Sequence, residues 1–276
     1  LYSSAASDVY KRQTVATAGQ ENVAEDKLGI LEPLRASLVL AQAGASYMTG
    51  LVGNVSIPVY SGSNVGWAGE VTAASDGAGT FSEVNLEPKR LTAYIDVSKQ
   101  FLIQDSNSAE EMLKRDIVSA ISNKLEATIL GTAAGSATQP AGLLNGVTAD
   151  TAAVTYTDFV NMEATLGEKN VRGDIKFIVS PSAKAVLKST AKNQNSFIME
   201  GNEVNGYPVL CTSAVAGKGI VYGNFADLVI GQWGGIDLTV DPYTQAANGK
   251  VRLVINAYFD AKPRRAEAFV KKVLKA

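Results

Sequence analysis

Residues 106–131 read SNSAEEMLKRDIVSAISNKLEATILG, and this stretch decides the fold. Apolar side chains recur at every fourth position, a spacing that places them on one face of an α-helix. The members of this stripe are Leu113, Ile117, Ile121, Leu125 and Ile129. Gly131 stands where a helix C-terminal cap belongs. A helix over 108–130 would be about 35 Å long, enough to form the spine of a small domain. Taken alone, the stretch also fits an ordinary core helix.

The composition excludes several kinds of catalytic site. The 276-residue chain has no histidine and one cysteine, Cys211. Nucleophilic triads that use histidine, and zinc sites that use histidine or several cysteines, therefore cannot be built within this chain. Residues 216–219 resemble part of a phosphate-binding loop, but Thr212 and Gly219 occupy two positions that the motif reserves for glycine and for serine or threonine. We predict no enzymatic activity, no catalytic residue, no cofactor and no metal site.

Charge and hydropathy also limit the partners. The net charge is −2, so the chain as a whole does not attract nucleic acid or an anionic membrane. No apolar run approaches the length of about 18 residues that a membrane span needs, and we predict no membrane partner. The local basic cluster near the C-terminus would either face nucleic acid non-specifically, form an exposed surface or contact another subunit. Its members are Lys262, Arg264, Arg265, Lys271, Lys272 and Lys275.

Residues 55–88 differ in kind from the rest of the chain. The segment 55–60 alternates as a strand does, glycines then interrupt it around Trp67, and the Asp76–Gly77 turn signal precedes a return strand that begins at Phe81. The segment has too few apolar residues to form its own core, and an isolated hairpin is marginally stable in water. We therefore expect this hairpin to lie on another surface, which another subunit could supply.

Short motifs before and after the helix occur in an order that is typical of one protein family. An arm and the long hairpin come first, with Trp67 and Glu70 on the hairpin and Phe81 on its return strand. The helix is followed by Pro140-Ala141-Gly142-Leu143-Leu144 and by a lobe of alternating strands and helices. That lobe contains the motifs Ser180-Pro181, Gly206-Tyr207-Pro208-Val209 and Gly223-Asn224-Phe225. Over about residues 30–274 the chain resembles the major capsid proteins of tailed phages.

The resemblance implies an α+β fold of the Hong Kong 97 type. Its implied parts are an N-terminal arm at 14–54, an extended loop at 55–88, a peripheral domain at 89–145 and 250–276, and an axial domain at 146–249. Residues 1–13 resemble the translated end of a library transposon, and we expect them to be a non-native leader. The implied contacts between subunits are Trp67, Glu70, Asp76 and Phe81 on the extended loop, and Tyr243 and Asn248 on an axial loop.

The implied function is structural. Such a protein assembles with itself, as hexamers and pentamers, into an icosahedral shell that encloses double-stranded DNA without sequence preference. Portal, scaffold or protease proteins would be further partners. The expected location is the virion, with the host cytoplasm during assembly.

Two features that some members of the family show bear on what we expect of this sequence. Some members crosslink subunits through a lysine near the tip of the extended loop, but residues 55–88 contain no lysine and Lys89 lies at the base. We therefore predict no such crosslink. Other members carry a large N-terminal scaffolding segment, and we expect scaffolding here to be separate, absent or lost with a missing N-terminus.

Two other functions stay open at this stage. An encapsulin-like cage uses the same fold to enclose a cargo protein, although the glycine-bearing hairpin and the segment 140–144 favour the phage interpretation. A β-rich surface-binding module is the other alternative. In that case Trp233 would be a binding platform, whereas a packed aromatic residue beside a turn is the ordinary interpretation.

Overall fold

The computed structural model describes residues 39–100 and 106–275, without the side chains of residues 106–114 and 118. The expected leader, 1–13, and the arm as far as residue 38 lie outside the described residues. So does the side chain of Leu113.

Helices and strands mix along the chain, as the α+β prediction requires. The helices are α1 (Val39–Ala43), α2 (Ser106–Ile129), α3 (Tyr156–Glu168) and α4 (Pro181–Ser189). The strands before α3 are β1 (Ser46–Met48), β2 (Val55–Tyr60), β3 (Phe81–Leu86) and β4 (Lys89–Ser98). The strands after it are β5 (Ile175–Val179), β6 (Ala191–Asn193), β7 (Ser196–Phe197), β8 (Glu203–Val204), β9 (Tyr207–Cys211), β10 (Gly219–Asn224), β11 (Leu228–Asp241), β12 (Lys250–Pro263) and β13 (Phe269–Val273).

The strands form two main sheets and two small ones. The first sheet has the order β1-β11-β12-β4, and the second has the order β13-β10-β5-β9-β8. The pairs β2–β3 and β6–β7 form two-stranded sheets. In the second sheet β5 runs parallel to β9 and antiparallel to β10, which in turn pairs antiparallel with β13. The last strand of the chain thus lies beside β10.

The described residues divide into two compact units. One consists of 91–122 and 235–258, and the other of 39–90, 123–234 and 259–275. The helix α2 and the strands β4, β11 and β12 continue from one unit into the other. The predicted domain boundaries stay a prediction. Residues 269–273 pair with β10, and residues 241–249 belong to the unit that contains 91–100 and 106–122.

The core of the second sheet lies under α3 and α4. Phe159, Met162 and Leu166 recur at helical spacing on α3 and pack against Phe177 and Tyr222 of the sheet. Both helices begin at a capped residue. The Asp158 carboxylate accepts hydrogen bonds from the backbone and hydroxyl of Thr155, and Ser180 Oγ accepts from the Ala183 N–H at 3.1 Å. These caps explain why each helix begins where it does.

The long helix ends where the backbone doubles back on itself. The described members of the predicted stripe, Ile117, Ile121, Leu125 and Ile129, are all buried. Past the end of the helix, the Leu143 N–H donates to the Ile129 carbonyl at 2.7 Å and the Leu144 N–H donates to the Gly131 carbonyl at 3.0 Å. These bonds satisfy carbonyls that a helix C-terminus leaves unpaired.

Glycine is required at this crossing. A Cβ atom on Gly142 would lie 2.1 Å from the Gly131 carbonyl oxygen and 2.5 Å from its carbon. Both atoms are backbone, so no side chain can move aside. The segment 140–144, singled out in the sequence, therefore closes the spine helix and brings Leu143 and Leu144 into the core.

A buried ion pair fixes the junction between the hairpin and β4. Asp260 is completely buried, and its Oδ1 accepts from Lys89 Nζ at 2.9 Å and from the Ala261 N–H at 3.0 Å. Its Oδ2 accepts from the Glu87 N–H at 3.1 Å. A carboxylate removed from water needs such donors, since an isolated buried charge is very costly. Lys89, noted in the sequence as misplaced for a crosslink, is held inside the protein.

Glu126 is a second buried carboxyl group, in the last turn of α2. Burial raises its pKa, while hydrogen bonds with the Thr212 hydroxyl and the Val39 backbone oppose the increase. Oε1 has no hydrogen-bond partner. Folding therefore favours the protonated form of Glu126.

We predict that Gly142→Ala destabilises the chain by about 1–3 kcal/mol or more, because the new methyl group overlaps backbone atoms. Gly167→Ala on α3 is the matched control, since a Cβ there meets nothing within 4 Å and alanine favours a helix by up to about 1 kcal/mol. Urea denaturation of the two variants should give changes in the free energy of unfolding of opposite sign. Equal changes in the two variants would contradict the close backbone contact between Gly142 and Gly131.

We predict that Lys89→Met lowers the free energy of unfolding by about 3–5 kcal/mol, because Asp260 then keeps a buried charge without its cation. Lys176→Met is the control. Its partner Asp174, 2.7 Å away, is largely exposed, and such pairs contribute about 0–1 kcal/mol. Lys176 Nζ also donates to the Gln42 carbonyl at 3.1 Å, a hydrogen bond that adds about 1 kcal/mol, so the control should still lose less than Lys89→Met. If the free energy of unfolding falls by the same small amount in both variants, the Lys89–Asp260 ion pair does not hold the junction.

We predict that Glu126→Gln becomes more stabilising, relative to the native chain, as pH rises. The pKa of Glu126 is higher in the folded than in the unfolded chain, so its contribution is fully present below the unfolded value of about 4.5 and is lost as pH rises through the folded value. Glutamine does not titrate. Unfolding free energies at pH 4, 5.5 and 7 test this, and a difference that does not change with pH would refute it.

Candidate assembly surfaces

The hairpin β2–β3 is a regular antiparallel ladder at its base. Val55 pairs with Leu86 and Tyr60 pairs with Phe81, with no register shift between them. Beyond the ladder the Ser61 N–H donates to the Thr80 carbonyl at 3.0 Å. We call residues 61–80 the hairpin tip.

The base of the hairpin packs on the first sheet. Leu86, Val229 and Trp233 form a buried cluster, covered by Val55 and Ile57 of β2 and by Met48 and Leu51. The Trp233 indole N–H donates to the Gly53 carbonyl at 2.6 Å. Trp233 is therefore a packed aromatic residue beneath the hairpin, which removes the binding platform proposed for a surface-binding module.

The hairpin tip is held by turns and not by a core. The Asn64 N–H donates to the Gly77 carbonyl at 3.0 Å, and the Thr72 N–H to the Gly69 carbonyl at 3.0 Å. Asp76 Oδ1 accepts from the Ala78 N–H at 2.9 Å, a local turn that asparagine and aspartate commonly form. These bonds shape the tip without burying its side chains.

All four predicted contact residues of the extended loop are exposed. Trp67 is fully exposed, at 106% of its reference area, and Phe81 is 77% exposed although its ring packs 4.6 Å from that of Tyr60. Asp76 forms the turn described above. Glu70 is exposed in the turn that follows Gly69. Their contact with another subunit stays a prediction.

Sequence reasoning missed other apolar residues of the same surface. Val65 and Val71 are almost completely exposed, and Tyr60 is partly exposed at the end of the ladder. A single exposed apolar residue is ordinary, but several on one segment mark an interaction surface. The signal was present, because valine and tryptophan lie among glycines in a segment with no core of its own.

The two predicted axial-loop residues lie in a tight, polar loop between β11 and β12. The Asp241 carboxylate accepts from the backbone N–H groups of Tyr243 and Thr244 and from the Thr244 hydroxyl, and these bonds lower the pKa of Asp241. Tyr243 is 84% exposed, and Asn248 donates to the Gln245 side chain at 2.7 Å. Their role in an axial contact stays a prediction.

Two cations of the predicted basic cluster, Lys272 and Lys262, are engaged within the chain. Lys272 forms ion pairs with Asp150 at 2.8 Å and with Asp158 at 3.0 Å. Lys262 Nζ donates to the Asn85 carbonyl at 2.5 Å, at the base of the hairpin. These two cations therefore stabilise the fold, and contact with nucleic acid stays a prediction.

The structure bears on three kinds of site that the sequence raised: a metal site, a phosphate-binding loop and a membrane span. Among them, no group of three or more His, Cys, Asp or Glu side chains is arranged to hold a metal ion. In residues 216–219 the Gly219 N–H donates to the Ala216 carbonyl, and Lys218 donates to the Lys275 carbonyl, so this segment is a turn between strands. None of the described helices is both long and apolar enough to cross a membrane.

Solved structures share the fold at low sequence identity. The capsid of a native GTA particle, computed with C5 symmetry, superposes with a TM-score of 0.69 at 18% identity, covering 86% of this chain and 89% of that one. The chain of Mycobacterium phage Bobi gives a TM-score of 0.68 at 14% identity, covering 87% and 91%. The chain of Gordonia phage Cozz gives a TM-score of 0.66 at 14% identity, covering 86% of this chain and 86% of that one.

Sequence comparisons agree with this fold. A curated relative, the major capsid protein of Halomonas phage phiHAP-1, is 30% identical over an alignment of 251 residues, and the match covers 86% of this chain. The aligned region covers 41% of that relative's length. The model of the phage capsid family matches residues 27–274. The α+β architecture and these matches together show that the chain belongs to the phage capsid family.

Proposed function

We propose that this chain is a major capsid protein with the Hong Kong 97-type fold, which assembles with itself into a closed icosahedral shell around double-stranded DNA. Hexamers and pentamers are its units, and assembly takes place in the host cytoplasm before the protein becomes part of the virion. Portal and scaffold or protease proteins are further partners. The shell itself requires no chemistry.

One observation carries this proposal: the hairpin is fixed at its base and exposed at its tip. Its base is buried against Val229 and Trp233, and the Lys89–Asp260 pair holds its return strand. The tip exposes Val65, Trp67 and Val71 almost completely. A rigidly based segment with an apolar end gains stability when another copy covers that end, which favours association.

The exposed hairpin tip fits a head-to-tail contact, in which it lies on a different surface of the next copy. Heterologous contacts of this kind close into rings when the rotation between copies allows it. Rings of five and six copies are the units that a closed shell needs.

Assembly is tested by sedimentation velocity and negative-stain electron microscopy on the full chain, alone and with its neighbouring genes co-expressed. Closed particles of uniform diameter support the proposal, and their contents distinguish a DNA-filled capsid from a cage that encloses cargo protein. A chain that stays monomeric under both conditions would overturn self-assembly.

We predict that a variant without the hairpin tip folds but forms no shells. Joining Ser61 to Thr80 through an Asn-Gly turn removes residues 62–79, and the 61–80 pairing already brings the two ends together. The buried base stays intact, so the circular dichroism and thermal midpoint should match the native chain. Shells formed by this variant at native concentrations would show that the tip has no role in assembly.

A further inference from the structure

A cavity lies between α3 and the segment 192–206, inside the unit that contains 123–234, and has a volume of about 540 Å³. Tyr156, Val160 and Glu163 form one wall, because spacings of four and three residues place them on one face of α3. Residues of the segment 192–206 form the facing wall. We call this space the helix cavity. Its volume falls in the range of about 300–1,000 Å³ that is typical of sites for small ligands.

The charges that line the helix cavity do not balance. Glu163 stands on the helix wall, and Glu200 and Glu203 stand on the facing wall, against the single ammonium of Lys192. No ion pair joins any of these three carboxylates to a cation of the described residues. The lining therefore carries a net charge of −2, with negative charge on both walls.

Glu200 and Glu203 face each other across a tight turn. The Glu200 N–H donates to the Glu203 carbonyl at 3.2 Å, and the Glu203 N–H donates to the Glu200 carbonyl at 2.9 Å. Gly201 and Asn202 between them have φ angles of 58° and 66°, which are typical of the two-residue turns that join antiparallel strands. Residues opposite each other in such a pair share one face, where like charges are destabilising. A cation beside both carboxylates would remove this repulsion.

Glu163 is held in place by two donors of the same unit. The Tyr207 hydroxyl donates to its Oε1 at 3.3 Å, and Asn205 Nδ2 donates to its Oε2 at 3.5 Å. Asn205 also lines the cavity, and its Oδ1 is buried and accepts no hydrogen bond from the described residues. A buried acceptor without a donor is costly. The helix wall thus offers an oriented carboxylate with an unpaired amide oxygen beside it.

Aromatic and aliphatic side chains complete the two walls. Val160 is 40% exposed and Phe197 is 49% exposed, so both leave apolar surface in water. Lys192 Nζ lies 4.2 Å from the centroid of the Tyr156 ring. Because an ammonium is attracted to an aromatic face, the cavity already holds one group of the charge type that its carboxylates lack. An alkyl chain that crosses the cavity would cover Val160 and Phe197.

We propose that the helix cavity binds a small aliphatic diamine, with one ammonium at Glu163 and the other at Glu200 and Glu203. Two positive charges match the net charge of the lining, and the chain between them lies on the apolar side chains. Within the described part of the chain no group of three or more carboxylates is arranged to hold a metal ion, so separated charges suit these walls better than one ion. Binding does not depend on assembly.

Isothermal titration calorimetry on the full chain tests the site with 1,4-diaminobutane, at low ionic strength, where charges are little screened. Butylamine is the control ligand, since it has the same carbon chain with one ammonium and also represents a lysine side chain of a partner protein. The diamine should bind at one site per chain and about tenfold more tightly than butylamine, because it pairs with both walls. Absence of diamine binding, or two affinities within about twofold, would overturn the proposal.

Variants of the lining locate the binding. Glu163→Gln and Glu203→Gln should each weaken diamine binding by about fivefold, because each removes one charge-assisted contact. Lys192→Met should tighten it by about threefold, because a like charge leaves the cavity and the Tyr156 ring is freed. Glu168→Gln, an exposed position of α3 outside the lining, is the matched control and should change the affinity by less than about twofold. Equal losses in Glu168→Gln and Glu163→Gln would contradict the assigned site.

Competition with salts distinguishes a diamine site from a surface that attracts any cation. Magnesium chloride and sodium chloride at equal ionic strength should weaken diamine binding equally, since screening is then the same. Stronger displacement by magnesium chloride would identify adventitious cation binding only and would overturn the proposal. All of these outcomes are independent of whether the chain forms shells, so the proposed function is tested separately.

Discussion

The buried carboxylate of Asp260 is the constraint on which the candidate assembly surface depends. It accepts hydrogen bonds from three donors: the Glu87 N–H after the hairpin, the Lys89 ammonium at the start of β4, and the Ala261 N–H of β12. A buried ion pair adds little net stability compared with apolar residues of the same shape, but it tolerates only one arrangement of its partners. Here that arrangement sets the direction in which the hairpin leaves the first sheet.

The hairpin illustrates how a segment without a core can still have a defined shape. Its base shares a cluster with Val229 and Trp233, its ladder keeps one register, and its tip is formed by turns that satisfy their own backbone groups. The apolar side chains of Val65, Trp67 and Val71 contribute to none of these and stay almost completely exposed.

The sequence predicts the long helix and the hairpin because the apolar residues of both recur at regular intervals. The every-fourth-residue stripe identified α2, and the alternation of 55–60 with a glycine-rich return identified the hairpin. The family prediction is confirmed, and so are the α+β class and the assignment as a phage capsid protein. Residues 228–241 form one 14-residue strand, β11, which passes through glycines that are usually typical of turns, so local sequence signals do not predict its length.

Long-range features were beyond sequence reasoning for a physical reason. The partners Lys89 and Asp260 are separated by 171 residues, and Asp96 and Arg252 by 156, so no local pattern links them. The grouping of 241–249 with the unit around β4 likewise follows from strand pairing and not from the order of segments.

The crossing of Gly142 over Gly131 has a consequence for how such chains diverge. At most interior positions a loss of volume on one side chain can be offset by a gain on its neighbour, so sequences drift in pairs. A contact between two backbones offers no such exchange, because neither partner has a side chain to trim. A relative that retains this crossing is therefore restricted to residues without a Cβ at that point, however far the surrounding core has changed.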